Sequence, residues 1–418
     1  MNIDLQININ GEWTPVATYE KRHSGGWLEY DTDYVIERKD TPHNRAGLLY
    51  PVNFDLCDCP TIPAFLVDIT PSGAGRRVWL RRIGQKEDAG AELNWDLLTV
   101  GAGNPPGNLR VRQAAIDPPD SAHHGFTIED IVSKKSNFIE YAEEMGAVVA
   151  GATDIPGDAP KFMVVTDKDG RWHPDGALRP EDVVESWIVK FPRGKDADDR
   201  LVLRNEAPYY EVARWFGIRV GGSLVYHDDC LFIPRFDRER CGGRLLRHGL
   251  ETICSVADIS DYGRRGDHLR FCQAIANAAT NPTTEVLEYL KRDVLNTAMR
   301  NTDNHGRNTA FLKKRGCPIE LSPLYDFAPM SLDPAGVPRA SLWSGMETYG
   351  QPDWVAVARS LRELVDVAST LRFLADQALK VAQLPAIMKQ AGVEERVLRE
   401  VSGRCGAISG SLEKAGRV

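Results

Sequence analysis

No run of about 18 or more consecutive apolar residues occurs in this sequence, so nothing in it reads as a membrane span. The first residues, MNIDLQININGEWTP, are polar and alternating, and lack the basic and then apolar regions of a signal peptide. A cytoplasmic location with reduced thiols is therefore expected. The eight cysteines are scattered. Cys57 and Cys59 form a C-x-C, but no second close pair completes a four-ligand zinc site. Positive charge is in deficit, with 51 Lys and Arg against 59 Asp and Glu, a net charge of −8. A global basic field that would draw the chain onto nucleic acid is missing, so no direct nucleic-acid binding is expected. Internal repeats and low-complexity tracts are absent as well.

What is present is an ordinary globular composition over 418 residues, a length that suggests two or three domains. Ile3-Asp4-Leu5-Gln6-Ile7-Asn8-Ile9 alternates with the period of a half-buried strand, and Asn10-Gly11 follows as a hairpin turn. Helices are expected over 63–69 and 74–83, and a linker or surface loop over 101–113, which is rich in Gly, Pro and Asn. Thr127 with Asp130 three residues on predicts a capped helix over 127–144. A second β-rich stretch follows: a strand over 161–166, a turn at Asp167-Lys168-Asp169-Gly170, and a strand over 185–191. A helix is read over 205–216, capped by Asn205 and ended by Gly217, and then a strand pair over 224–236. From about residue 245 the apolar spacing becomes helical, over 268–279, 284–301, 354–381 and 393–412. The expected organisation is α+β. It has a β-rich N-terminal subdomain over 1–125, a β-rich nucleotide-binding lobe over 126–240, and an all-helical C-terminal lobe over 241–418, a two-lobed kinase-like arrangement.

The sharpest chemical signal is Asn301-Thr302-Asp303-Asn304-His305-Gly306-Arg307-Asn308. Kinase chemistry needs a carboxylate to accept the proton of the substrate hydroxyl and an amide oxygen nearby to hold magnesium. Protein kinases place an Asp and an Asn five positions apart in one loop for this purpose. Asp303 and Asn308 have that spacing, and His305 completes the D-x-H-x-x-N pattern of lipid and atypical kinases. A polar turn ending a helix has the same composition. Asp326, in Leu324-Tyr325-Asp326-Phe327, supplies a second carboxylate for ions that bridge the ATP phosphates.

Lys190 ends the apolar strand Trp187-Ile188-Val189-Lys190, where a lysine can reach phosphates; in solvent it would be a common strand-end residue. Glu206 lies 16 residues on, placed either to hold Lys190 or to complement the positive end of its own helix. The loop from Gly151 to Lys161, with Gly157, lets backbone N–H groups approach phosphate, although it is neither a Walker A motif nor G-x-G-x-x-G. Ile233-Pro234-Arg235-Phe236 falls where an adenine ring would need an apolar wall and a backbone hydrogen bond, here the N–H of Phe236. An ordinary edge strand reads the same way.

Taken together and in this order, these pieces resemble the HipA-like kinases over roughly residues 140–330. The matching motifs are the glycine loop ending in Lys161, Lys190, Asn205-Glu206, Arg235-Phe236-Asp237-Arg238, the loop from Asp303 to Asn308, and Tyr325-Asp326. The resemblance implies a serine/threonine protein kinase acting as the toxin of a toxin–antitoxin pair and using ATP and magnesium. Asp303 is then the base, and Asn308 and Asp326 are the metal ligands. Gly157, Lys161, Lys190, Glu206, Arg235, Phe236 and His305 fall on the nucleotide. It also implies a protein substrate such as an aminoacyl-tRNA synthetase and a separate HipB-like helix-turn-helix antitoxin, because this chain carries no such signature. Two positions depart from the family pattern. Asp154 stands where family members carry a self-phosphorylated serine, with Thr153 beside it, and Pro234 stands where a Glu is usual. A small-molecule kinase and a nucleotide-binding regulator that works by binding a partner are the alternative functions.

Overall fold

A computed structural model describes residues 2–85, 92–118, 123–147, 149, 152–154, 159–261 and 265–417. Gly157, together with Gly151, Ile155, Pro156 and Asp158 of the glycine loop, lies outside the described residues. The chain mixes helix and sheet, and its packing divides it into two units. One comprises Met1–Arg193, Leu224–Glu251 and Leu312–Cys317. The other comprises Gly194–Ser223, Thr252–Phe311 and Pro318–Val418.

The first unit holds two antiparallel five-stranded sheets. In the first sheet, Asn2–Ile9 pairs with Glu12–Lys21 around Asn10 and Gly11, which take φ of +54° and +93°. Two successive positive φ values are what a two-residue hairpin turn requires. Ile3, Leu5, Ile7 and Ile9 all enter the core with Tyr19, Leu28, Phe65 and Trp95, as period two demands. Residues 101–113 are not a linker. Leu109–Val111 pairs with Leu5–Ile7 and completes the sheet edge, because Leu109 and Val111 carry the same alternation as the strand beside them.

The second sheet runs in the order Trp172–Pro174, Lys161–Thr166, Glu185–Lys190, Cys230–Pro234, Val225–His227. Its inner face, including Phe162, Val164, Val189 and Phe232, packs on Phe138, Ile131 and Ile139. The helix expected over 127–144 is two helices, Ile128–Lys134 and Phe138–Glu144. The capping box at Thr127 and Asp130 forms, but Lys135 takes a φ of +50° and donates to Asp229 at 3.2 Å, which breaks the run.

Arg235 anchors this unit from inside. Its guanidinium grips Asp237 through two bonds of 2.9 and 2.8 Å and Asp175 through one of 2.5 Å. Arg238 donates to the same Asp237 and to the carbonyl of Gly107, and the N–H of Gly107 returns a bond of 2.7 Å to Asp237. Burial would raise the Asp237 carboxyl, but Arg235 and Arg238 outweigh it and hold the group far below the ordinary range.

The second unit is built on helices Ala197–Phe216, His268–Ala278, Pro282–Ala298, Trp354–Ser360, Val367–Gln390 and Glu395–Ala415. The helix read from Asn205 begins eight residues earlier. Asp196 opens it, its N–H bonded to Asp199, while Asn205 and Glu206 sit buried in the interior. Gly217 closes it at φ +90°. The helix expected over 354–381 is broken after Ser360, and Asp366 caps its second half through the N–H of Ser369. The region after residue 241 is not all helical. Arg244–Arg247, Gly249–Thr252 and Ala310–Lys313 are strands, and Gly266–Asp267 pairs in parallel with Ser341–Leu342. Among the described residues no helix is long and apolar enough to cross a membrane.

Removing Arg235 leaves Asp175 and Asp237 buried without their main counter-charge. Arg235→Ala is expected to destabilise the protein by about 3–5 kcal/mol in urea unfolding; a loss near zero would contradict the anchoring role.

Candidate active site

The site in the second unit grows out of the end of helix Pro282–Ala298. The chain leaves that helix through Arg300 at φ +57°, and the Asn301 N–H bonds to the Asn296 carbonyl at 3.0 Å. Residues 301–305 belong to no helix or strand, and a 3-10 turn, Gly306–Asn308, follows. Gly306 is required here by close approach. A Cβ would lie 2.6 Å from the Phe271 ring and 2.8 Å from Cys254 Sγ.

The turn folds Asn308 back so that its Nδ2 donates to the backbone carbonyl of Asp303 at 2.9 Å. That bond commits the amide nitrogen and leaves Oδ1 as the outward acceptor. His305 Nε2 stands 3.5 Å from Asp303 Oδ1. The Tyr325 hydroxyl donates to the Arg307 carbonyl at 2.7 Å, which draws the next residue, Asp326, against the loop. Asp326 itself adopts φ +56°, a left-handed conformation uncommon outside glycine. Phe327 beyond it is buried, its ring 5.3 Å from that of Tyr209. Tyr210 beside it is pushed well above the usual tyrosine range by burial, and further by Glu206 and Asp326.

Asp303, His305, Asn308 and Asp326 thus line one cleft, with Asn296 and Asn301 on its wall. Among the described residues no group of three or more His, Cys, Asp or Glu side chains is arranged as a metal cage. One amide oxygen and one carboxylate suit magnesium, which takes few protein ligands and fills its octahedron with water and phosphate. Under the loop lies a buried polar layer of Asn304, His268, Tyr289 and Asp293, a set of residues that motif spacing did not single out.

In the first unit, Lys161 and Lys190 are direct cross-strand partners. Two like charges facing each other are unfavourable unless an anion or carboxylate joins them, and Lys190 is buried. Arg235, expected at the nucleotide, has its guanidinium committed to Asp175 and Asp237, and its N–H bonds to the Ser186 carbonyl at 2.9 Å. Asp154 is buried, accepting from Trp79 Nε1 at 2.9 Å and from the Asn104 N–H at 3.0 Å. Burial pushes its carboxyl up to about 7. Thr153 is buried as well.

The model of the HipA-like C-terminal domain matches residues 153–390, more than half of the sequence. The chain belongs to the HipA-like C-terminal domain family. A curated relative, "Putative kinase Y4dM" of Sinorhizobium fredii (strain NBRC 101917 / NGR234), is 24% identical over 346 residues, 77% of this chain and 76% of the relative. The solved Shewanella oneidensis MR-1 HipA, in complex with HipB and operator DNA, superposes with a TM-score of 0.70 at 15% identity. That match covers 100% of this chain and 99% of that one. This likeness shows that the HipA-like match extends to the fold of the whole chain, beyond the residues of the domain model.

Two outcomes follow. Gly306→Ala should cost about 1–3 kcal/mol, because an aromatic ring and a thiol must give way; unchanged urea stability would show the packing to be loose. For Asp154 the folded pKa is raised above the unfolded one, so the unfolded state holds fewer protons between them, and stability falls as pH rises from about 4 to 7. Asp154→Asn should remove that fall. Parallel stability–pH curves for variant and wild type would contradict it.

Proposed function

We propose that this chain is an ATP-dependent serine/threonine protein kinase of the HipA-like toxin type. The observation that carries the reading is the convergence of Asp303, Asn308 and Asp326 on one cleft, with the Asn308 amide already oriented by the Asp303 carbonyl. Asp303 accepts the proton of the acceptor hydroxyl as its oxygen bonds to the γ-phosphorus and the bond to the ADP oxygen breaks. Asn308 Oδ1 and the Asp326 carboxylate would hold magnesium, which would supply positive charge to the phosphates. His305 sits beside the base, within reach of the γ-phosphate side. Lys161 and Lys190, with Gly157 before them in sequence, are assigned to the phosphates. Glu206 belongs to the same machinery from the helix that carries Tyr210. Arg235 serves the nucleotide indirectly, by fixing the backbone of Phe236 against the adenine.

The family membership and the kinase relative support phosphoryl transfer over the binding-only alternative, which has no need of a base. The Shewanella complex supports a HipB-like partner as the DNA reader. The acceptor we assign is a protein, with an aminoacyl-tRNA synthetase as the class to try first, in the cytoplasm.

With γ-labelled ATP and bacterial lysate, the wild type should label discrete protein bands. Asp303→Asn should lose about 10³-fold in rate, roughly 4 kcal/mol of transition-state stabilisation, while still binding nucleotide. Full labelling by Asp303→Asn would remove the proposed base. Label confined to small molecules would favour the small-molecule kinase.

A further inference from the structure

We infer that Asn304, seated on the buried His268–Asp293 pair, is the positioning residue that holds Asp303 at its working geometry. The inference rests on the kinase reading for its meaning, but the geometry stands without it. Asp303 and His305 are partly exposed toward the cleft, and Asn304 between them is 7% exposed and turned inward.

The Asn304 amide is used like a peptide group. Oδ1 accepts from the N–H groups of Ala340 at 2.9 Å and Ser341 at 3.1 Å, and Nδ2 donates to the Ser341 carbonyl at 3.1 Å. The Ala340 N–H is shared with the Thr302 carbonyl at 3.3 Å. Residue 303 is therefore laced on its N-terminal side to the 340–341 strand and on its C-terminal side, through its own carbonyl, to Asn308. A base held at both neighbours has little freedom to swing.

The remaining Nδ2 hydrogen faces His268 Nε2 at 3.4 Å. The same Nε2 stands 3.4 Å from Asp293 Oδ1, and Nδ1 lies 2.7 Å from the Tyr289 hydroxyl. Burial disfavours a second proton on His268. Asp293, 3.4 Å from the ring, keeps its charge because Trp343 Nε1 at 2.8 Å and Arg339 at 3.3 Å hold it. Only a short side chain carrying both an acceptor and a donor serves the backbone groups of Ala340 and Ser341. Alanine supplies neither, and aspartate keeps the acceptor but loses the donor.

The test uses the full-length protein with γ-labelled ATP and lysate, together with anisotropy of a fluorescent magnesium–ATP analogue and amide hydrogen exchange. Asn304→Ala should lower kcat about 10²-fold, the scale of a misplaced catalytic group, with nucleotide affinity and melting temperature near wild type. Hydrogen exchange at Ala340 and Ser341 should quicken. His268→Gln, which keeps a polar group beside Asn304, should retain most of the activity that His268→Leu loses. A wild-type kcat in Asn304→Ala would overturn the inference. So would kcat falling only in step with nucleotide affinity and folded fraction, the signature of a merely structural residue. If the wild type transfers no phosphoryl group, the kinase reading fails, and hydrogen exchange alone still decides whether Asn304 holds the loop. Unchanged exchange at 340–341 would sink it.

Discussion

One hydrogen bond organises the site: the Asn308 side chain donating to the backbone carbonyl of Asp303. It ties two residues five apart in sequence into one turn, with the Asn308 amide nitrogen on the Asp303 carbonyl. The bond forms because Gly306 lets the chain pass tight against Phe271 and Cys254. Tyr325 then ties the second carboxylate to the same turn. Each step is local in space, and none needs a bound ligand to set it up.

Both units spend buried charge in a similar way. Arg235 and Arg238 neutralise Asp175 and Asp237 in the first, and Arg339 neutralises Asp293 in the second. Such groups would be costly alone and are tolerated because each has directed partners. Their value is in register. The first set locks residues 105–107 to the strand end at 235–238, and the second locks the loop at 302–304 to residues 339–343. A hydrophobic core of the same volume would pack, but it would not choose between neighbouring alignments.

Much of this was legible in the residues. The strand over 161–166 and its partner ending at Lys190 could be read because a continuous apolar run is bounded by a four-residue turn signal. The loop was legible from the spacing of Asp303, Asn308 and Asp326, since the chemistry dictates the residue types. The start of helix Ala197–Phe216 was not. Its first turn is charged, and Pro208 lies inside it, removing one i→i−4 bond from a helix whose buried face outweighs that loss. The break at Lys135 depends on a partner 94 residues away, at Asp229. His268, Asp293 and Asn304 form one layer across 36 residues of sequence with no repeat or motif to join them. Strand Leu109–Val111 was hidden by the glycines and prolines around it, though its two apolar residues do alternate.

The central claim is that Asn308 and Asp326 hold a divalent ion on a nucleotide. Manganese in place of magnesium makes this visible by electron paramagnetic resonance. Because two protein ligands make a weak site alone, the wild type should bind manganese tightly only when ATP is present. Asp326→Asn should abolish that nucleotide-dependent binding while the protein stays folded. Manganese–ATP binding of wild-type strength in Asp326→Asn would contradict the account.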